Sequence, residues 1–105
     1  MTDEAPLDID VTTDGDAVRI RLSGELDVHT APDLAAALTA AQDDGATVIE
    51  IDAAALKFCD SSGIQVLVQA RERAVADSGR FSLSGVHGSV EKVLSVTGLL
   101  ELFSA

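Results

Sequence analysis

Two runs of alternating apolar residues, separated by one short polar turn, do most to limit what this chain can fold into. Leu7, Ile9 and Val11 alternate with polar neighbours. Val18, Ile20 and Leu22 repeat the pattern, with Arg19 and Arg21 between them. A period of two puts the apolar residues on one face of a half-buried strand. Between the runs, Asp14-Gly15-Asp16 offers residues that tolerate hairpin-turn angles. The N-terminal third is therefore an antiparallel hairpin, with Ser23-Gly24 closing its second strand.

The period changes after the hairpin. Thr30-Ala31-Pro32-Asp33 reads as a helix start, with Thr30 able to cap, Pro32 in the first turn and Asp33 at the positive end. Leu34, Leu38 and Ala41 then share one helical face, and Asp43-Asp44-Gly45 stops the helix. Val48-Ile49-Glu50-Ile51 predicts a short central strand, and Ala53–Phe58 leads into Cys59-Asp60-Ser61-Ser62-Gly63. A second helix follows, with Ile64, Leu67, Val68, Ala74 and Val75 facing inward and Gly79 at its end. Phe81 and Leu83 mark another strand. Ser89 is expected to cap a third helix bearing Val90, Val93 and Leu94, which Gly98 ends. Leu99–Phe103 fits either a short strand or a packed tail. The order β-β-α-β-α-β-α predicts an α/β domain: a mixed sheet of four to five strands, opened by a hairpin and flanked by three to four helices. Residues 1–6 are expected to be a short flexible tail, and 7–105 a single domain.

Composition narrows the function. The 105 residues carry 7 Lys+Arg against 18 Asp+Glu, a net charge of −11. Nucleic acid and anionic membrane surfaces reward clustered Lys and Arg, so neither is an expected partner. With 47% apolar residues the chain can still build a core. No window approaches the roughly 18 apolar residues of a membrane span. Met1-Thr2-Asp3-Glu4 lacks the basic start of a secretory signal. A single cysteine, Cys59, fits a reducing, cytoplasmic setting. With Cys59, His29 and His87 the only Cys and His residues, no zinc cluster is expected, and no cofactor is called for.

Asp60-Ser61-Ser62-Gly63 admits two readings. It is a helix cap, because Asp and Ser oxygens accept the free amide N–H groups of a first turn. Equally, it presents a hydroxyl at the positive end of a helix, where a phosphate finds N–H donors and a favourable dipole. Two adjacent serines allow one to cap and one to react. Glu25 and Asp27, in Gly24-Glu25-Leu26-Asp27, read as a recognition loop rather than a catalytic acid pair, since no neighbour separates their pKa values. A hydrolase would pair Cys59, Ser61 or Ser62 with His29 or His87, but the Gly-x-Ser-x-Gly elbow is missing. Cys59 reads as a small buried filler.

Three stretches together resemble one family. Val18–Asp27 followed by Thr30-Ala31 resembles the opening of the bacterial anti-sigma factor antagonists of the STAS domain family. Phe58–Ile64 resembles their phosphorylation loop, and Val90 through Gly98-Leu99 their C-terminal helix. The resemblance implies a five-stranded sheet and a non-enzymatic binding module. It places the phosphoacceptor on Ser62, the preceding capping positions on Asp60 and Ser61, and an acidic loop residue on Asp27. Partner contacts are expected from Glu25, Asp27, Asp60, Ser61, Ser62, Gly63 and Gln65, and no residue is expected to bind metal. The implied partners are an anti-sigma factor that is also a GHKL-type serine kinase, and a PP2C-type phosphatase. Members often carry a further C-terminal helix, whereas this chain ends at Ala105 soon after Phe103. The same fold also serves as an accessory subunit of lipid-transport ABC systems and of chemotaxis or stress-sensing complexes, which is the alternative function.

Overall fold

The hairpin forms where the alternation places it. In the computed structural model, which describes residues 6–103, β1 (Leu7–Asp14) pairs antiparallel with β2 (Ala17–Leu26), Leu7 opposite Gly24 and Asp14 opposite Ala17. Then come α1 (Ala31–Asp43), β3 (Val48–Cys59), α2 (Ser61–Ala76), β4 (Arg80–Ser84), α3 (Gly88–Val96) and the single turn α4 (Leu100–Phe103). The sheet order is β1-β2-β3-β4, and the β2–β3 and β3–β4 pairs are parallel. Each parallel pair is joined by a helix, as such a connection requires. Among the described residues the sheet has four strands, one fewer than the family resemblance implies. The flexible tail expected over residues 1–6 lies outside the described residues except for Pro6. That residue is tied down, because its carbonyl accepts the Glu25 N–H at 2.7 Å.

One face of the sheet is the core. Val18, Ile20, Leu22, Ile49, Ile51 and Phe81 are buried there with Leu34, Leu38, Leu67, Leu94 and Phe103. Each such side chain contributes roughly 1.5–3 kcal/mol when fully buried. The intervening residues of β2 and β3 point the other way and carry two exposed cross-strand ion pairs, Arg19–Glu50 (3.2 Å) and Arg21–Asp52 (3.7 Å). Pairs this exposed contribute about 0–1 kcal/mol, so the fold rests on the apolar face. The thinnest dimension, 19 Å, accommodates one sheet and one helical layer. Helices α1 and α2 are locked side by side by Gln42 Nε2–H donating to the Ala70 carbonyl (3.0 Å) and by Arg73–Asp43 (2.8 Å).

Several boundaries differ from the sequence reading, each for a physical reason. Strand β3 does not stop at Ile51 but runs on through Ala53-Ala54-Ala55 to Cys59, because β2 supplies a ladder that poor strand formers would not hold alone. Strand β2 likewise passes Gly24, with register shifts on either side of the Ser23–Gly24 pair. Gly24 has φ +109 there, and a Cβ on it would overlap the Pro6 carbonyl oxygen at 2.2 Å. Thr30 stands at the N-cap of α1 but does not cap with its side chain. Ser89 is not the cap of α3; His87 holds that position, and the Ser89 hydroxyl donates instead to the Lys57 carbonyl at 3.1 Å. Helix α2 ends through Ser78, which takes the left-handed conformation (φ 63), while Gly79 lies so close to Thr47 that a Cβ would sit 2.2 Å from its carbonyl oxygen. Val75 faces solvent at 53% exposure rather than the core. Of the two alternatives for Leu99–Phe103, the packed one holds and the strand does not: Leu100–Phe103 form a helical turn whose Phe103 ring packs on Phe81 with centroids 5.9 Å apart.

Candidate functional site

Strands β2 and β3 are parallel neighbours, so their C-terminal ends emerge together, with Leu26 beside Cys59. The loop after each strand leads directly into a helix, and the Asp60 N–H donates to the Leu26 carbonyl at 3.1 Å, fixing one loop against the other. In open α/β sheets, ligand sites commonly lie at the carboxyl ends of the parallel strands. Glu25, Asp27, Asp60, Ser61 and Ser62, separate in sequence, thus share one end of the molecule.

The first loop is a closed network. The Asp27 Oδ1 atom accepts N–H groups from His29 (2.9 Å) and Thr30 (3.1 Å). Thr30 Oγ1 donates to the Glu25 carbonyl (2.9 Å) and accepts the Asp27 N–H (2.9 Å). That explains why the buried Thr30 hydroxyl does not cap α1: it stitches the loop instead. Desolvation pushes the Asp27 carboxyl upward, but the His29 and Thr30 hydrogen bonds and the nearby His29 charge outweigh it and hold the group below its ordinary range. Asp27 is therefore ionised at neutral pH and braced by its own loop. Glu25 is exposed.

The second loop starts α2. Asp60 is the N-cap, and its Oδ1 accepts from the Ser62 N–H (2.9 Å) and the Gly63 N–H (3.3 Å). The Asp60 carbonyl accepts the Ile64 N–H at 3.0 Å. Capping thus belongs to Asp60 alone, and Ser61 is the first helical residue rather than a cap. Neither serine hydroxyl makes a hydrogen bond among the described residues, Ser61 being exposed and Ser62 half-buried. Much of the helix end is already committed to Asp60, so an added phosphate on Ser62 meets a carboxylate as well as amide donors. Gln65 is exposed on the first turn. Gly63 is buried and faces inward: a Cβ there would lie 2.4 Å from Leu26 Cγ and 3.1 Å from Cys59 Sγ. It is a spacer that brings α2 onto the sheet, not a surface residue.

The two histidines make their hydrogen bonds away from the serines. His87 Nε2 lies 2.8 Å from the Ala54 carbonyl, and His29 contributes its backbone N–H to the Asp27 turn. Cys59 is buried, and burial, with the Asp60 charge, pushes its thiol up to about 11. Its neutral form is therefore favoured by folding. That contribution is complete below the ordinary thiol pKa of about 8.5 and is lost as pH rises toward 11. At pH 8 iodoacetamide should modify native Cys59 at least about 100-fold more slowly than the urea-unfolded chain. Comparable rates would show that the thiol is not held as described.

Among the described residues no group of three or more His, Cys, Asp or Glu is placed to hold a metal ion, and no helix is long and apolar enough to cross a membrane. A hollow of about 560 Å³ opens away from the serine loop, lined by Glu50, Arg71, Arg80 and Phe81 among others. The serine end carries the acidic side chains Glu25, Asp27 and Asp60.

The family model described as Mlab, STAS domain, matches residues 9–104. An anti-sigma-B factor antagonist of Staphylococcus aureus is 28% identical over 96 residues, covering 91% of this chain and 89% of that protein. The anti-sigma factor antagonist SpoIIAA in its unphosphorylated form superposes with a TM-score of 0.83 at 30% identity, over 93% of this chain and 86% of that one. The phosphorylated form of the Bacillus cell fate determinant SpoIIAA gives 0.76 at 29% identity, over 93% and 89% of the two chains. An anti-sigma factor antagonist from Mycobacterium paratuberculosis gives 0.82 at 26% identity, over 92% and 82%.

Proposed function

From the premise that this chain belongs to the STAS domain family, we propose that it is an anti-sigma factor antagonist switched by phosphorylation of Ser62. Unphosphorylated, it binds an anti-sigma factor that is also a GHKL-type serine kinase and so frees a sigma factor in the cytoplasm. Phosphorylated, it lets go, and a PP2C-type phosphatase resets it. The observation that carries this reading is the serine loop itself. Asp60 satisfies the amides of α2, so the Ser62 hydroxyl is spared from capping and stands at a helix N-terminus beside the Asp27 loop. A helix that does not use the hydroxyl to fold can offer it to a kinase. The relatives named above, one solved in a phosphorylated form, support the same reading.

The switch is local and electrostatic. Phosphate adds about −1.5 to −2 charge at pH 7. Around Ser62 the surface already carries Glu25, Asp27 and Asp60, so a partner docked on a neutral hydroxyl then meets a bulky dianion. It loses affinity through steric conflict and desolvation. Glu25, Asp27, Asp60, Ser61 and Gln65 form the contact surface, with Gly63 acting beneath it. The second reading, an accessory subunit of a transport or sensory complex, draws on the Mlab label of the matching family model and makes Ser62 a docking residue only. Phosphosite mapping after incubation with the kinase and ATP separates the two. The wild type should gain one phosphate on Ser62, and Ser62→Ala, folded as before, should gain none. Labelling that persists on Ser61 would move the assignment, and no labelling at all would favour the second reading.

A further inference from the structure

Phe58 stands out among the three phenylalanines. Phe81 and Phe103 pack on each other in the core, while Phe58 is 44% exposed. Alternation would predict one of Lys57 and Phe58 to be inward, yet both are outward between buried Leu56 and Cys59. The strand register changes at this level, between Gly24 and Glu25, and leaves Phe58 beside the exposed Glu25. Val28, one residue beyond Asp27, is 60% exposed in the adjoining loop. The other exposed large apolar residues, Val11, Val75 and Val96, sit singly on β1, α2 and α3, which is ordinary for a soluble surface. Among the described residues, only Phe58 and Val28 of these lie on the two segments that converge at the serine end.

We propose that Phe58, with Val28 in the neighbouring loop, is the apolar anchor by which the anti-sigma factor holds this protein, seated in a socket whose rim is basic. The proposal deepens the antagonist reading and rests on it. Two observations choose this occupant. First, the anchor adjoins Ser62 by only four residues of chain, within the roughly 800 Å² that one partner contributes to a stable interface. A phosphate abolishes binding best where the contact is dry, because a charge buried without a partner is costly. An apolar anchor next to the hydroxyl creates that dry contact. Second, Glu25 lies directly opposite Phe58, and Asp27 and Asp60 follow at the ends of the same two strands on a chain of net charge −11; these outweigh the neighbouring Lys57, so the complementary rim is mainly positive. Aromatic side chains at the centre of an interface carry a disproportionate share of its affinity.

The test is calorimetric titration of the purified anti-sigma factor kinase, with nucleotide, into wild type, Phe58→Ala, Phe58→Leu, Glu25→Gln and Ser62→Asp, at low and high salt. Phe58→Ala should bind at least about tenfold more weakly at both salt concentrations, and Phe58→Leu should recover most of the affinity. Glu25→Gln should lose less, and that loss should fade at high salt, where exposed charges are screened. Wild-type affinity in Phe58→Ala, with Ser62→Asp still impaired, would overturn the anchor and leave the antagonist reading standing. No binding by the wild type would overturn both. A concentration-dependent dimer in sedimentation that Phe58→Ala abolishes would assign the patch to a second copy of this chain and equally overturn the proposal.

Discussion

Gly63→Val should destabilise the fold by about 3 kcal/mol, the upper end of what inserting carbon into a packed core costs. The first atom added, Cβ, already falls 2.4 Å from Leu26 Cγ and 2.6 Å from Leu26 Cδ2. Leu26 is fully buried, so it has no solvent to swing into. Cys59 Sγ closes the other side at 3.1 Å. Either α2 lifts from the sheet or its first turn frays, and both disturb the cap that holds the serine loop. Small domains have about 5–15 kcal/mol in total, so the effect is large and visible in urea unfolding. Gln65→Val is the control: it places the same branched side chain on an exposed turn of the same helix and should cost only a few tenths of a kcal/mol. Adding Leu26→Ala to Gly63→Val should give a coupling of about 1 kcal/mol or more, because the two changes share one space. Equal stability of Gly63→Val and Gln65→Val would show that the close approach described here is wrong.

The second large effect concerns binding rather than folding. Ser62→Asp should weaken the complex with the anti-sigma factor kinase at least about 100-fold, equivalent to about 2.7 kcal/mol. The substitution puts a charge where the contact surface has a neutral hydroxyl, within reach of Asp60. Its fold should survive, since Asp60 rather than Ser62 caps α2 and the Ser62 side chain holds no hydrogen bond among the described residues. Two-dimensional amide spectra should therefore change around the Asp27 and Asp60 loops and stay fixed across the sheet. A collapse of the spectrum would mean that the loss of binding reports unfolding, not the switch.

Much of the architecture was written in local patterns. The hairpin, the α1 face of Leu34, Leu38 and Ala41, and the turn at Gly98 follow from periodicity and turn chemistry, and the structure has each of them. What escaped was set by contacts between distant segments. Ala53-Ala54-Ala55 has no strand pattern of its own and is extended because β2 lies beside it. Ser89 and Thr30 look like caps in isolation, but the Lys57 and Glu25 carbonyls compete for their hydroxyls. Gly63 reads as a surface residue of a polar loop until Leu26 is seen beneath it. The candidate site was legible in its residue types, because an Asp-Ser-Ser-Gly run at a strand-to-helix junction already specifies a helix end. That Asp60 alone caps, leaving both serine hydroxyls unused by the helix, required the geometry. The outward turn of Phe58 left no mark in the sequence beyond a break in alternation.

The central claim, that Ser62 is the switch of a partner-binding module, is tested most directly by a paired pull-down from a lysate of the source cells. Wild type and Ser62→Asp serve as baits with nucleotide supplied, and bound proteins are identified by mass spectrometry. The account predicts a GHKL-type kinase retained by the wild type and lost by Ser62→Asp. A transporter ATPase or sensory scaffold held equally by both baits would contradict it, keeping the STAS fold but reducing Ser62 to part of a constitutive docking surface.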